Sequence, residues 1–272
     1  MIKNKKKFFL FNTKILLLKF IKFILEKLNI YLMPYFEKNS SKAIIHSKST
    51  DTLMYQYKKK EINTLRIETT DMVTNLCVLG KKYSTDKSPF NITRHRHPYT
   101  SIYDLLFSNL RNENLNFAEI GILDNASIRM FREYFSKASI YGFEFNEDLI
   151  KKAKRNKLKK VYYHKINVKN KDNIYKAFKK VNKKFKIIID DSTHEFNDQI
   201  NVIEKTINFL APGGYLIIED IFHAPKNLEI NYMNSIKKYS RHFEKIFFIE
   251  CNHINKHSPH WNNDKLLVLK KN

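Results

Sequence analysis

Residues 186–200 read KIIIDDSTHEFNDQI, an apolar run that ends in two adjacent aspartates with a histidine three residues after the second. An unbroken apolar run, without polar alternation, is the pattern of a strand covered on both faces, and such strands belong to parallel sheets flanked by helices. A second run of this kind, YLIIE at 215–219, ends in Glu219 and Asp220. Working outward, short apolar runs at 116–120, 140–145, 161–166, 185–190, 215–219, 245–250 and 266–270 alternate with longer amphipathic stretches. That is the rhythm of βαβ units. The expected fold is α/β, a Rossmann-like, doubly wound, mostly parallel sheet of seven strands within 79–272, preceded by an N-terminal helical extension.

At 272 residues and 43% hydrophobic content the chain can bury a full core. Its two cysteines, Cys77 and Cys251, lie far apart without metal-ligand spacing, which points to a reducing, cytoplasmic setting and away from a disulfide framework. A net charge of +23 raises nucleic acid as a partner. The excess is mostly lysine, however, and much of it falls in 151–160 and 176–186, which read as solvated helix faces. With no aromatic-basic RNA signature and no zinc-finger spacing, no nucleic-acid partner is expected.

Residues 1–37 form a basic amphipathic segment in which Asn12, Lys19, Lys22, Glu26 and Asn29 fall on one narrow helical stripe. Lysines interrupt each apolar run well short of the ~20 residues a spanning helix needs. The apolar face is expected to lie in the headgroup layer of an anionic membrane, peripheral to its inner face, or to pack on the domain or a second copy in a homo-oligomer. Residues 38–78 are polar and rich in Ser and Lys, and are expected to be a linker, loosely ordered or helical.

In open α/β sheets, ligands bind beyond the carboxyl ends of the strands where strand order reverses. The first strand ends in FAEIGILDNAS at 117–127, with Glu119 and a turn at Gly121; the second ends at Glu144, 25 residues beyond Glu119, near the spacing of an acid that binds a ribose diol. Asp124 within the turn would repel the pyrophosphate of a dinucleotide, so S-adenosylmethionine, with its ammonium and sulfonium, suits it better. The later strands deliver Asp190, Asp191 and His194, then Glu219 and Asp220. Converging carboxylates raise one another's pKa unless a cation compensates, and all-oxygen ligands favour Mg²⁺. The expected ligands are Asp191, Glu219 and Asp220. An imidazole, with an ordinary pKa near ~6.5, is largely neutral at neutral pH, which makes His194 the expected general base.

Taken in order, KKYSTDK, HPYTSIYDLLF, FAEIGILDNASI, IYGFEFNEDL, IIIDDSTHEFNDQI and FLAPGGYLIIEDI resemble the sugar O-methyltransferase family that includes the mycinamicin-type macrolide-sugar enzymes and cephalosporin-hydroxylase-like proteins. The resemblance spans roughly 79–222 and the last two strands. It implies a class I, S-adenosylmethionine- and Mg²⁺-dependent methyltransferase acting on a sugar, nucleotide-sugar or glycan hydroxyl in cell-surface polysaccharide (capsule) or glycoconjugate biosynthesis. It further implies metal binding by Asp191, Glu219 and Asp220, proton removal by His194, and cofactor contacts from Thr85, Glu119, Gly121, Glu144, Asn167 or its neighbours, and Asp190. Two departures stand out: Asn125-Ala126 where the family has a glycine pair, and DDSTH where it has DDGSH. The alternatives are a cephalosporin-hydroxylase-like oxygenase and a non-catalytic membrane-surface scaffold. The tract at 253–264 is expected to be a loop anchored by Trp261, and His95 and His97 receive no role.

Overall fold

The computed structural model describes residues 64–91, 95–223, 228–258 and 262–272. The expected N-terminal helix at 1–37 and Trp261 lie outside them. In chain order the elements are β1 (Thr64–Glu68), α1 (Asn75–Tyr83), α2 (Tyr99–Phe107), β2 (Asn116–Ile120), α3 (Ala126–Tyr134), β3 (Ser139–Glu144), α4 (Glu147–Lys154), β4 (Val161–Lys165), α5 (Lys171–Val181), β5 (Phe185–Asp190), α6 (Phe196–Thr206), β6 (Leu210–Ile218), α7 (Leu228–Ile236), β7 (Phe243–Asn252) and β8 (Lys265–Lys271). All seven expected strands form. An eighth, β1, comes from the stretch expected to be linker, and pairs parallel with β7. Among the described residues no helix is long and apolar enough to cross a membrane.

The strand order is β1-β7-β8-β6-β5-β2-β3-β4. Pairing is parallel except where β8 runs antiparallel between β6 and β7. The chain winds outward from β2 through β3 to β4, then returns to β5 on the other side of β2, so strand order reverses between β2 and β5. The crevice that such a reversal opens lies at their carboxyl ends.

Side chains alternate across the sheet with a period of two, which sorts the core into two layers. Ala118, Ile120, Ile188, Leu216 and Ile218 pack with Phe178 of α5, Val202 and Ile203 of α6 and Tyr232 of α7. Phe117, Ile187, Ile189 and Ile217 pack with Leu76 and Leu79 of α1, Tyr99, Ile102, Tyr103 and Phe107 of α2 and Phe131 of α3. Each fully buried aromatic or aliphatic side chain contributes roughly 1.5–3 kcal/mol, which is why runs such as IIID need no polar face.

Ile120, Asp190 and Ile218 stand level in neighbouring strands. Pairing continues one step past the strands, because Asp191 N–H donates to Ile120 O at 2.8 Å and Glu219 N–H to Asp190 O at 2.9 Å. Gly121, Asp191 and Glu219 therefore line up along one sheet edge. Gly121 has φ +84°, and a Cβ there would lie 2.0 Å from Asp191 O. Gly121→Ala is expected to lose more than about 2 kcal/mol of stability; a thermal unfolding midpoint equal to that of the wild type would show that the turn and the Asp191 backbone can separate freely.

Candidate active site

Register explains the paired aspartates of KIIIDD. Asp190 points to the α5–α6 layer, where it is 1% exposed; Ser192 Oγ donates to its Oδ1 at 2.7 Å, and Oδ2 has no hydrogen-bond partner among the described residues. Burial pushes its pKa up to about 7. Asp190 thus lies beneath the crevice, outside the cavity walls where a cofactor residue was expected. Asp191 points to the opposite, α2-bearing layer, as do Glu119 and Glu219.

Those three carboxylates come from three adjacent strand ends and meet one ammonium. Lys87 Nζ contacts Asp191 Oδ2, lies 2.7 Å from Glu219 Oε2 and 3.4 Å from Glu119 Oε1, and its side chain is 1% exposed. Burial works against its charge, but Asp191, Glu219 and Glu119 together hold its pKa well above the lysine range. The Lys87 main chain is engaged too, since its carbonyl accepts from Tyr99 N–H and Thr100 N–H at 3.1 Å each. These are first-turn donors of α2, which has no side-chain cap.

Tyr99 and Tyr103, one helical turn apart on α2, face the same way. Tyr103 OH donates to Glu219 Oε1 at 2.5 Å, and Tyr99 OH to Asp220 Oδ1 at 2.6 Å. Burial, reinforced by the carboxylates, raises both phenols far above the usual tyrosine range and keeps them as donors. Glu219, expected as a metal ligand, therefore directs one oxygen at Tyr103 and the other at Lys87. Burial pushes its pKa well up, with Lys87 opposing.

Strict alternation would point Asp220 away from Glu219, but Asp220 sits at φ 57° and His194 at φ 58°. Both left-handed residues swing their side chains to the crevice, a conformation that Asp and His tolerate better than most. Ser192 and Thr193, which stand where the resembled family has glycine-serine, need no positive φ; the left-handed residue is His194 itself. Likewise Asn125 fills the first-turn glycine position at φ 70°.

One donor atom each from Asp191, His194 and Asp220 lie within 4.8 Å of one another. His194 Nε2 is 3.6 Å from Asp220 Oδ2. Burial works to raise the Asp220 pKa, yet His97, His194 and the Tyr99 hydroxyl hold it below the usual carboxylate range. Two carboxylates that converge on open space suit a hard divalent ion, which needs only one or two of them. The imidazole is a poor ligand for such an ion and stays available for a proton.

These residues border a cavity of about 380 Å³ whose wall includes Gly121, Glu144, Ile166 and Val168, with His95, His97 and Asp86 opposite. A second cavity, of about 360 Å³, shares Gly121 and Asp191 and includes Thr85 and Asp124. Glu144 accepts from Ile122 N–H at 3.1 Å and Asn146 N–H at 2.9 Å, which holds its carboxylate at the rim. Besides Asp190, two more expected cofactor residues stand back from the walls. Glu119 is 0% exposed behind the turn and accepts from Ser127 Oγ at 2.9 Å, with burial lifting its pKa to about 7. Asn167 closes a loop by accepting from Lys169 N–H at 3.1 Å, while its neighbours Ile166 and Val168 line the cavity.

The two unassigned histidine tracts meet: Arg96 and His257 exchange backbone hydrogen bonds at 2.8 and 3.0 Å. His97 Nδ1 lies 2.8 Å from Asp264 Oδ1. Burial opposes charge on His97, but Asp220 and Asp264 lift its pKa to about 9. Among the described residues the ligand atoms that gather are those of Asp191, His194 and Asp220, without His97, so the two-histidine, one-carboxylate set of the oxygenase alternative is not completed there.

Residues 125–266 match a family described as a methyltransferase domain. The fold is similar to that of MycE methyltransferase from the mycinamycin biosynthetic pathway. In complex with Mg, SAH and mycinamycin VI, that structure aligns with a TM-score of 0.54 at 18% identity, covering 74% of this chain and 55% of MycE. A crystal form with Mg and SAH aligns at 0.53 and 19% identity over 73% and 54%, and another at 0.53 and 16% over 89% and 66%. The chain thus spans about half the length of the first two. No curated protein matches the sequence.

Proposed function

Because the chain belongs to the methyltransferase-domain family, a class I, S-adenosylmethionine-dependent fold, we propose that it methylates a sugar hydroxyl with the help of a divalent cation such as Mg²⁺, in the synthesis of a surface polysaccharide or glycoconjugate. The observation that carries this reading is the approach of Asp191, His194 and Asp220 to within 4.8 Å at the rim of the larger cavity. MycE, which shares the fold, holds Mg, SAH and mycinamycin VI; the sugar acceptor rests on the motif resemblance.

Bound S-adenosylmethionine supplies an electrophilic sulfonium methyl, and a bound divalent ion lowers the pKa of a hydroxyl. The chain's residues do the rest. Glu144 accepts from the ribose hydroxyls, and the absence of a side chain at Gly121 lets the donor approach the first turn. Thr85 approaches it from the neighbouring cavity. Asp191 and Asp220 would hold the cation. His194 takes the hydroxyl proton at Nε2, and alignment of donor and acceptor at one sheet edge makes the displacement effectively intramolecular. Asp264 and His97 steady Asp220 from behind.

Incubation with methyl-labelled S-adenosylmethionine, Mg²⁺ and a panel of nucleotide sugars and capsular or lipopolysaccharide fragments is expected to place label on a glycan as an alkali-stable ether. Label found on RNA instead would replace the acceptor class. Absence of any calorimetric signal for S-adenosylmethionine would remove the enzymatic reading and favour a non-catalytic scaffold.

A further inference from the structure

We propose that Lys87 is a resident cation of the acidic crevice, a positioning residue whose ammonium holds Asp191 and Glu219 in place before any metal arrives and takes Glu219 as its own partner, leaving Asp191 and Asp220 for the divalent ion. The converging carboxylates call for a compensating cation, and the structure holds a first one covalently, in the Lys87 side chain. The three contacts of Lys87 Nζ, at most 3.4 Å long, reach groups from β2 and from the ends of β5 and β6. Glu219 spends both oxygens, one on Tyr103 at 2.5 Å and one on Lys87 at 2.7 Å. Glu119 Oε1 has no hydrogen bond and is buried, so the nearby ammonium is its compensation among the described residues.

Charge counting supports the division. Buried carboxylates without a counterion are forced to neutralise or to separate. An ammonium fixed at their centre keeps three of them assembled in the metal-free protein, and the Lys87 carbonyl seats the start of α2, which carries Tyr99 and Tyr103 to the same groups. One residue thereby ties the loop between α1 and α2 to the sheet edge by both main chain and side chain. The carboxylate pair Asp191–Asp220 then differs from Glu219 in having donor atoms turned to the cavity.

The lysine's role is tested on the full chain without metal, so its outcome is independent of the proposed activity; the statement about ligands rests on that reading. In EDTA, Lys87→Met is expected to lower Tm by about 10 °C, because it leaves buried charge unpaired. Adding Glu219→Gln to it is expected to recover part of the loss, a coupling that a merely structural lysine would not show. Titration with Mn²⁺ alone is expected to raise the Tm of Lys87→Met more than that of the wild type. By calorimetry, Asp220→Asn is expected to lose at least about tenfold more Mn²⁺ affinity than Glu219→Gln, since it removes a ligand rather than a neighbour. A Lys87→Met protein that melts with the wild type in EDTA, or additive losses in the double variant, would overturn the lysine's role. If Lys87→Met fails to fold, recovery by the double variant supports the proposal and failure of both counts against it. Equal loss of Mn²⁺ affinity in Glu219→Gln and Asp220→Asn would return Glu219 to the ligand set.

Discussion

Replacement of His194 by alanine is expected to reduce turnover by about 10²- to 10⁴-fold while S-adenosylmethionine binds as it does to the wild type. The size of the effect follows from what the imidazole is asked to do. A sugar hydroxyl holds its proton far above neutral pH, and a positioned base removes it as the oxygen attacks. His194 is suited by place: it follows β5, turns into the crevice at φ 58°, and sets Nε2 3.6 Å from Asp220 Oδ2. His194 lines the larger cavity with Gly121 and Glu144 but turns Nε2 to Asp220, so donor affinity should survive. Calorimetry for the donor and single-turnover kinetics for the chemistry separate the two quantities. Turnover within a few-fold of the wild type would mean that another group accepts the proton.

Asp191→Ala should be as severe for a different reason. Asp191 is the central carboxylate, level with Gly121 on one side and Glu219 on the other, and it faces both the cavity and Lys87. Its loss removes a candidate cation ligand, and activation by the metal is expected to fall by about 10²-fold or more, corresponding to a few kcal/mol of barrier. The same limit should be reached from the other direction by chelating the wild type. The two treatments should not add, so EDTA is expected to leave the residual rate of Asp191→Ala unchanged. Methylation by the wild type at full rate in EDTA would dismiss the cation from the chemistry.

Much of this architecture was visible in the chain. Runs such as KIIID and YLIIE announce strands covered on both faces, because a polar side chain inside either layer would be stranded without water. Their acidic ends, the Gly121 turn and Glu144 follow from where ligands bind in such sheets. The strand TLRIE of β1 escaped notice, being short, charged and set in a Lys- and Ser-rich stretch; its pairing with β7 is a long-range choice that no local pattern signals. Lys87 was hidden in a different way. It closes the KKYSTDK stretch but nothing in that stretch gives it a role among 50 Lys and Arg, and its meaning appears only when three strand ends converge on it. The spacing of Tyr99 and Tyr103, one turn apart on one helix face, was the available hint that α2 sends polar groups to a common target.

Residue type and periodicity were enough to define the layered α/β plan and to say which strand ends carry acid. Which acid works where depended on folding in three dimensions. Pleating sends Asp190 and Asp191 to opposite faces, left-handed turns at His194 and Asp220 override that alternation, and burial makes each remaining carboxylate seek a specific partner, Lys87 and Tyr103 for Glu219, Tyr99 for Asp220. Strand patterns are local properties of a chain, whereas the pairing of buried charge depends on neighbours up to 167 residues away in sequence.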